Sequence, residues 1–297
     1  MQSLNQNLIM NMVAQTSIHA GAGQALSVID LPIQRESHTQ FRVIFGSSLK
    51  GALRFRASQV LNDNKKLVNV FGADSQSEDT FAGAIMISDA KLLLLPVRSL
   101  NGYFKWVTCP ALLRRYANDC ERAGVNAENL ANLNLNINQT EVLVVENKSD
   151  KLFLEEFLLS VKVDNTLQAV AKFIAENFKL DETAVNEQLA VVSDDMFTYL
   201  AQNSTPVNAH IALDENKTVK KGALWYEETL PSDTVMYSLI SCTSSRGKKE
   251  DKLEPQQVAD VLTGEVLPQD NRYLQVGGNE TVGMGWFAVQ FSQQAAQ

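Results

Sequence analysis

Asp30 is the first charged residue of this 297-residue chain, and it lies between apolar neighbours in the stretch Val28–Glu36, VIDLPIQRE, shortly before Pro32. A carboxylate in such a place can cap a turn, accept a proton or hold a cation, and the stretch alone leaves the three open. A second candidate lies just beyond it, in GSSLKGALR, where Lys50 and Arg54 stand at i and i+4. Like charges at that spacing weaken a helix slightly, so an anionic partner rationalises them. With Ser47 or Ser48 as the N-cap, the first N–H groups of that helix would complete a phosphate site. GxxxxGK[ST] is not matched, so it is not a Walker loop. Near the C-terminus, LQVGGNETVGMGWFAVQF places Gly277, Gly278, Gly283 and Gly285 in one loop, where backbone can come close to another chain or a ligand.

The charge distribution sharpens this reading. The formal net charge of −8 counts against a nucleic-acid partner on average, since phosphate binding needs local Lys and Arg. Between Arg35 and Arg56, however, five cations (Arg35, Arg42, Lys50, Arg54, Arg56) face one anion, Glu36, so this segment is +4 and the rest of the chain −12. Such a split fits either a cationic surface on an acidic body or a solvated helix face. Cys109, Cys120 and Cys242 are too widely spaced for a zinc ribbon or a CxxC redox pair, and are expected to be reduced structural thiols. The N-terminus MQSLNQNLIMNMVAQ lacks a basic segment, and no apolar run approaches the ~18 residues a membrane helix needs. A soluble, cytoplasmic protein without membrane contact is expected.

The elements that must position these residues follow from periodicity. Asn7–Ala14 and Phe41–Phe45 read as strands flanking the Gly-rich loop SIHAGAGQ, and the latter runs into the helix carrying Lys50. Ala82–Val97 reads as a strand entering a core, and CPALLRRYANDCERAG as a helix burying Leu112, Leu113 and Tyr116. VLVVEN and FLEEFLLSVKV read as strands, and Thr166–Phe178 as an amphipathic helix. LAVVSDDMFTYLAQN reads as buried strand, acidic cap and helix, which explains Asp194 and Asp195 better than a metal does. His210–Pro231 reads as two strands around a Lys-rich tip, a long hairpin able to project.

Taken in order, DLPIQRE, GSSLKGALR, PVRSLNGYFKWVTCP, GALWYEETLP and GGNETVGMGW resemble the backbone RAMP-superfamily subunit of type III-B (Cmr) CRISPR effector complexes. The matches run through most of the chain. The resemblance implies an α+β fold: one elaborated domain over residues 1–297, a modified ferredoxin-like (RRM-type) palm with an inserted helical region and a projecting β-hairpin thumb at about 207–231. It implies copies stacked head to tail along a CRISPR RNA beside the other subunits, with cleavage of the paired single-stranded target RNA at regular intervals.

Residue roles follow from the same resemblance. Asp30 matches the aspartate on which target cleavage depends. A lone carboxylate suffices because RNA carries its own nucleophile, the 2′-OH, so one weakly held Mg²⁺ or Mn²⁺ on Asp30 is expected. His19 matches a His-x-Gly-x-Gly segment and implies proton transfer or phosphate contact. Glu227 or Glu228 matches a glutamate near the scissile site, Glu227 being the choice made here. Lys50 and Arg54 are the first choices for CRISPR RNA phosphates, followed by Arg35 and Arg42, with Ser47, Ser48 and the glycines Gly277, Gly278, Gly283 and Gly285 beside them. The hairpin around Lys217–Lys221 resembles a thumb that wedges between base pairs. Two alternatives stay open: an RNA-binding filament subunit in which Asp30 is inert, and a metabolic enzyme with a Gly-rich anion loop.

Overall fold

A computed structural model describes residues 5–73, 81–146, 148–247 and 249–293. In chain order the strands are β1 (Gln6–Ala14), β2 (Val43–Ile44), β3 (Ile85–Ile87), β4 (Ala90–Arg98), β5 (Phe104–Thr108), β6 (Glu141–Val144), β7 (Lys151–Leu154), β8 (Phe157–Val163), β9 (Leu189–Val191), β10 (Val207–Leu213), β11 (Val219–Glu228), β12 (Val235–Cys242), β13 (Tyr273–Gln275) and β14 (Trp286–Ser292). The helices are α1 (Gly46–Val60), α2 (Asn64–Phe71), α3 (Pro110–Arg122), α4 (Glu128–Ala131), α5 (Thr166–Phe178), α6 (Glu182–Gln188), α7 (Asp194–Asn203) and α8 (Pro255–Asp260), the last continued by a π-helical turn over Val261–Val266.

Twelve strands form one sheet in the order β13-β14-β1-β12-β4-β5-β9-β6-β8-β7, with β2 beside β4 and β3 beside β12. Among the described strands of this sheet only the β5–β9 and β6–β8 pairs run parallel. Strand β1 explains why the sheet is covered on both faces. Side chains alternate along a strand, so Leu8, Met10 and Met12 enter one core while Ile9 and Val13 enter the other. Leu49 and Leu53 of α1 and Phe197 and Leu200 of α7 fill the first; Leu113 and Tyr116 of α3 and Phe173 and Ile174 of α5 fill the second. Tyr116 is fully buried, and its hydroxyl donates to Asn11 Oδ1 at 2.7 Å, which satisfies the polar end that burial would otherwise penalise. The mixed α+β fold expected from the sequence is the one observed. All three cysteines are free and buried, and burial pushes the thiols of Cys120 and Cys242 up to about 12, as inert structural thiols require.

Local chemistry sets the helix ends. Ser193 caps α7 by accepting from Met196 N, while Asp194 Oδ1 accepts from Ala111 N at the start of α3. Two adjacent residues, Ser193 and Asp194, thus serve two helices. The expectation of Ser47 or Ser48 as the cap of α1 is corrected: the helix begins at Gly46, and Asp89, from the turn between β3 and β4, accepts from Gly46 N at 2.7 Å. Gly46 is required by contact, because a Cβ there would lie 2.6 Å from the carbonyl oxygen of Ile87. Strands β10 and β11 pair with each other and form a two-stranded ribbon apart from the large sheet. Its tip is tied by Asp214, whose carboxylate accepts from the N–H groups of Asn216 and Thr218. Val207, Ile211, Leu213, Val219 and Leu224 on it are exposed.

Candidate active site

The last three residues of β11 organise everything around Asp30. The chain at Leu31 lies along that strand as a short parallel addition, with Leu31 N donating to Tyr226 O (3.1 Å) and Glu228 N to Leu31 O (3.0 Å). Asp30 is therefore placed by β11, and its Oδ2 accepts from Tyr226 N at 2.8 Å. Among the described residues its Oδ1 makes no hydrogen bond. The side chain does not cap a turn of its own loop; it is fixed by one oxygen and half-buried, with a largely exposed segment, 22–28, leading into it.

Two residues further along the same edge, a backbone spacing of about 7 Å, Glu228 O meets Nδ1 of His19 at 2.8 Å. A carbonyl only accepts, so Nδ1 carries the proton and Nε2 of the neutral ring is left with its lone pair. Glu227 Oε1 lies 3.3 Å from the same Nδ1, and Asn279 Nδ2 donates to that oxygen. The glycine loop is what brings Asn279 there. Gly278 N donates to His19 O at 2.9 Å, and a Cβ on Gly277, whose φ is +94°, would stand 2.4 Å from that oxygen. Asp30, His19 and Glu227 are thus brought together, with Gly277 and Gly278 against His19. Gly283 and Gly285 serve the geometry of the same loop.

Glu228 has a different task. Its Oε1 accepts from Arg35 (2.6 Å), Arg42 (2.7 Å) and Thr205 Oγ1 (2.6 Å), and its Oε2 from Ile33 N (3.2 Å). A buried carboxylate so satisfied anchors the Asp30 loop to the hairpin base. The assignment of Arg42 to RNA phosphate is corrected here: it is fully buried, its charge is met by Glu228, and it also donates to Gln202 O. Arg35 keeps partial exposure while paired with the same carboxylate.

The cations of α1 form a second locus. Lys50 Nζ donates to Ile85 O and Arg54 to Gly72 O. Burial, then the charges of Arg54 and Arg246, hold the Lys50 ammonium below the usual lysine range. Arg246, unmarked by any sequence motif, therefore belongs to this cluster; it anchors on Gly83 O at 2.7 Å. Ser47 is exposed and Ser48 half-buried at the helix start. Gln34, from the PIQRE run, joins the two loci. Its amide donates to Gly21 O and Ser48 Oγ, and its Oε1 accepts from Phe45 N at 2.6 Å.

A carboxylate and an imidazole thus meet at the base of a two-stranded hairpin, beside a cationic helix start on a large mixed sheet. The chain belongs to the RAMP superfamily, whose model matches residues 11–288. Cmr4 proteins are similar to this chain over nearly the full length. It is 38% identical over 288 residues to the CRISPR system Cmr endoribonuclease Cmr4 of Pyrococcus furiosus, covering 95% of this chain and 94% of that protein. It is 25% identical to the CRISPR system CMR subunit Cmr4 of Saccharolobus solfataricus over 92% of each. The crystal structure of oligomeric Cmr4 from Pyrococcus furiosus superposes with a TM-score of 0.75 at 31% identity, over 99% of this chain and all of that one.

Proposed function

We propose that this chain is a repeated backbone subunit of a type III-B effector complex, working in the cytoplasm, which holds CRISPR RNA and cleaves the complementary target RNA at regular intervals. The observation that carries the reading is the Asp30 carboxylate, held by one oxygen on β11 with the other unengaged, beside His19 on the same strand edge. The full-length likeness to an endoribonuclease supports it.

The chemistry needs little from the protein. Once the target strand is splayed so that a 2′-OH lies in line with its own 3′-phosphate, loss of the 2′ proton gives a cyclic phosphate and a 5′-hydroxyl. Asp30 offers one carboxylate oxygen, and among the described residues no group of three or more metal-ligating side chains exists. That donor set suits a hard divalent ion which keeps its waters and takes phosphate oxygens as further ligands, Mg²⁺ or Mn²⁺ rather than a caged metal. Such an ion, when bound, neutralises charge building on the phosphoryl oxygens. The cluster Lys50, Arg54 and Arg246 holds the guide backbone, the exposed hairpin separates target bases, and further copies follow head to tail. No described helix is long and apolar enough to cross a membrane.

The test is cleavage of target RNA by the reconstituted complex with Mg²⁺, wild type against Asp30→Ala, with products resolved to the nucleotide. A regular ladder slowed about 10²–10⁴-fold in the variant at unchanged target affinity is expected. A ladder indifferent to the substitution moves the chemistry elsewhere. No ladder from the wild type leaves an RNA-binding scaffold.

A further inference from the structure

His19 is gripped on one side and open on the other. Its Nδ1–H is aimed at Glu228 O with the Glu227 carboxylate alongside, and its carbonyl receives Gly278 N. Its Nε2 faces Gly21, where an added Cβ would stand 2.9 Å away. Gly21 is exposed and carries no side chain to cover Nε2, and the mostly buried His19 side chain keeps 12% exposure. Glu227 is almost wholly buried, and Asn279 is the donor that fixes which way its carboxylate faces. Asn279 itself is held in the left-handed conformation, φ +61°, with Val282 N and Met284 N donating to its carbonyl.

From this we infer that Asn279 is a positioning residue: it aims Glu227 at Nδ1 of His19, so that Nε2 takes the 2′-OH proton of the target RNA. The step balances as follows. The 2′-O–H bond breaks, its proton passing to Nε2; the 2′ oxygen bonds to phosphorus; the P–O5′ bond breaks; and O5′ takes a proton from water. The imidazolium so formed lies beside the Glu227 carboxylate, which stabilises it and, with Glu228 O, prevents the ring from turning. His19 later returns its proton to solvent. Asn279 touches no RNA in this scheme and acts only through Glu227 and His19.

The inference rests on the proposed ribonuclease reading, and the two fail separately. Single-turnover cleavage is measured for reconstituted complexes carrying Asn279→Gly, His19→Ala and both, alongside target-RNA binding. Glycine accepts the left-handed backbone, so Asn279→Gly removes the amide without straining the loop. Asn279→Asp keeps size and backbone preference but replaces the donor with an acceptor. Both are expected to slow cleavage roughly tenfold or more with the dissociation constant unchanged. In the His19→Ala background, Asn279→Gly should cost nothing further, because the residues act as one unit. Losses that multiply in the double variant overturn the inference, since they assign Asn279 a merely structural role. So does a full cleavage rate in Asn279→Gly or His19→Ala. A wild-type complex that leaves target RNA intact, or cleaves it equally with Asp30→Ala, overturns the ribonuclease reading and this inference together.

Discussion

Glu227 and Glu228 are neighbours on β11 whose carboxylates serve opposite ends. Successive side chains leave a strand on opposite faces. Glu228 goes to Arg35 and Arg42 in the interior, and Glu227 to His19 and Asn279 at the site. Removing the first strands two guanidinium groups, one of them fully buried. Glu228→Ala should therefore lower unfolding stability by about 3–5 kcal/mol in urea titrations. Glu227→Gln should cost no more than about 1.5 kcal/mol while slowing target cleavage roughly tenfold at unchanged binding. Equal stability losses would refute this division of labour.

Gly21→Ala isolates the open side of His19. The backbone at Gly21 is one that alanine adopts, yet the new methyl would stand 2.9 Å from Nε2 of a ring that Glu228 O holds in place. Cleavage should fall at least tenfold, since it loses proton transfer, with a stability loss of about 1–3 kcal/mol from crowding the ring. A full rate in this variant would show that nothing needs to reach Nε2.

Much of the fold was legible because its elements are periodic and locally capped. α5 coincides with the amphipathic Thr166–Phe178, and Ser-Asp-Asp starts α7 with Ser193 as the cap acceptor and Asp194 and Asp195 in the first turn. The long hairpin is present as β10 and β11. β12 went unread. Its VMYSLISC is buried almost throughout, and a short apolar run without alternation does not distinguish strand from helix. α2, α6 and α8 are six to eight residues long, too short for a clear period. At the candidate site, the ordered motifs singled out Asp30, His19 and Glu227, and the fold brings all three to β11. Asn279 was hidden among glycines that drew notice for themselves, because its partner lies across the fold on β11. Arg42 misled for the same reason: a cation in a basic run reads as exposed until its distant counter-ion is known.

Lys50 tests the cationic locus. Its ammonium is disfavoured in the free folded chain by burial and by Arg54 and Arg246, so its folded-state pKa lies below the unfolded one. Charge at this position therefore costs stability at neutral pH, and the cost disappears as pH rises through the lowered pKa. Lys50→Gln should leave thermal stability equal or higher. It should also weaken guide-RNA binding and reduce the slope of log affinity against log salt by about one. An unchanged salt slope would remove Lys50 from the RNA path.

Glu36 gives the acid side of the stability curve a named origin. Burial alone would raise its carboxyl. Hydrogen bonds from Arg115 and Thr39, with the Arg115 charge, outweigh that and hold it below the usual glutamate value. Arg115 grips both oxygens, at 2.5 and 3.2 Å, and so ties the Asp30 loop to α3. A carboxyl whose folded pKa is depressed contributes stability that is complete above its unfolded pKa and is lost as pH falls through the folded one. Glu36→Gln should therefore lower stability at pH 7 by roughly 1–3 kcal/mol. It should also flatten the decline between about pH 5 and 3, as measured by urea unfolding across that range. Parallel curves for the two proteins would mean that the Glu36–Arg115 pair contributes no proton-linked stability.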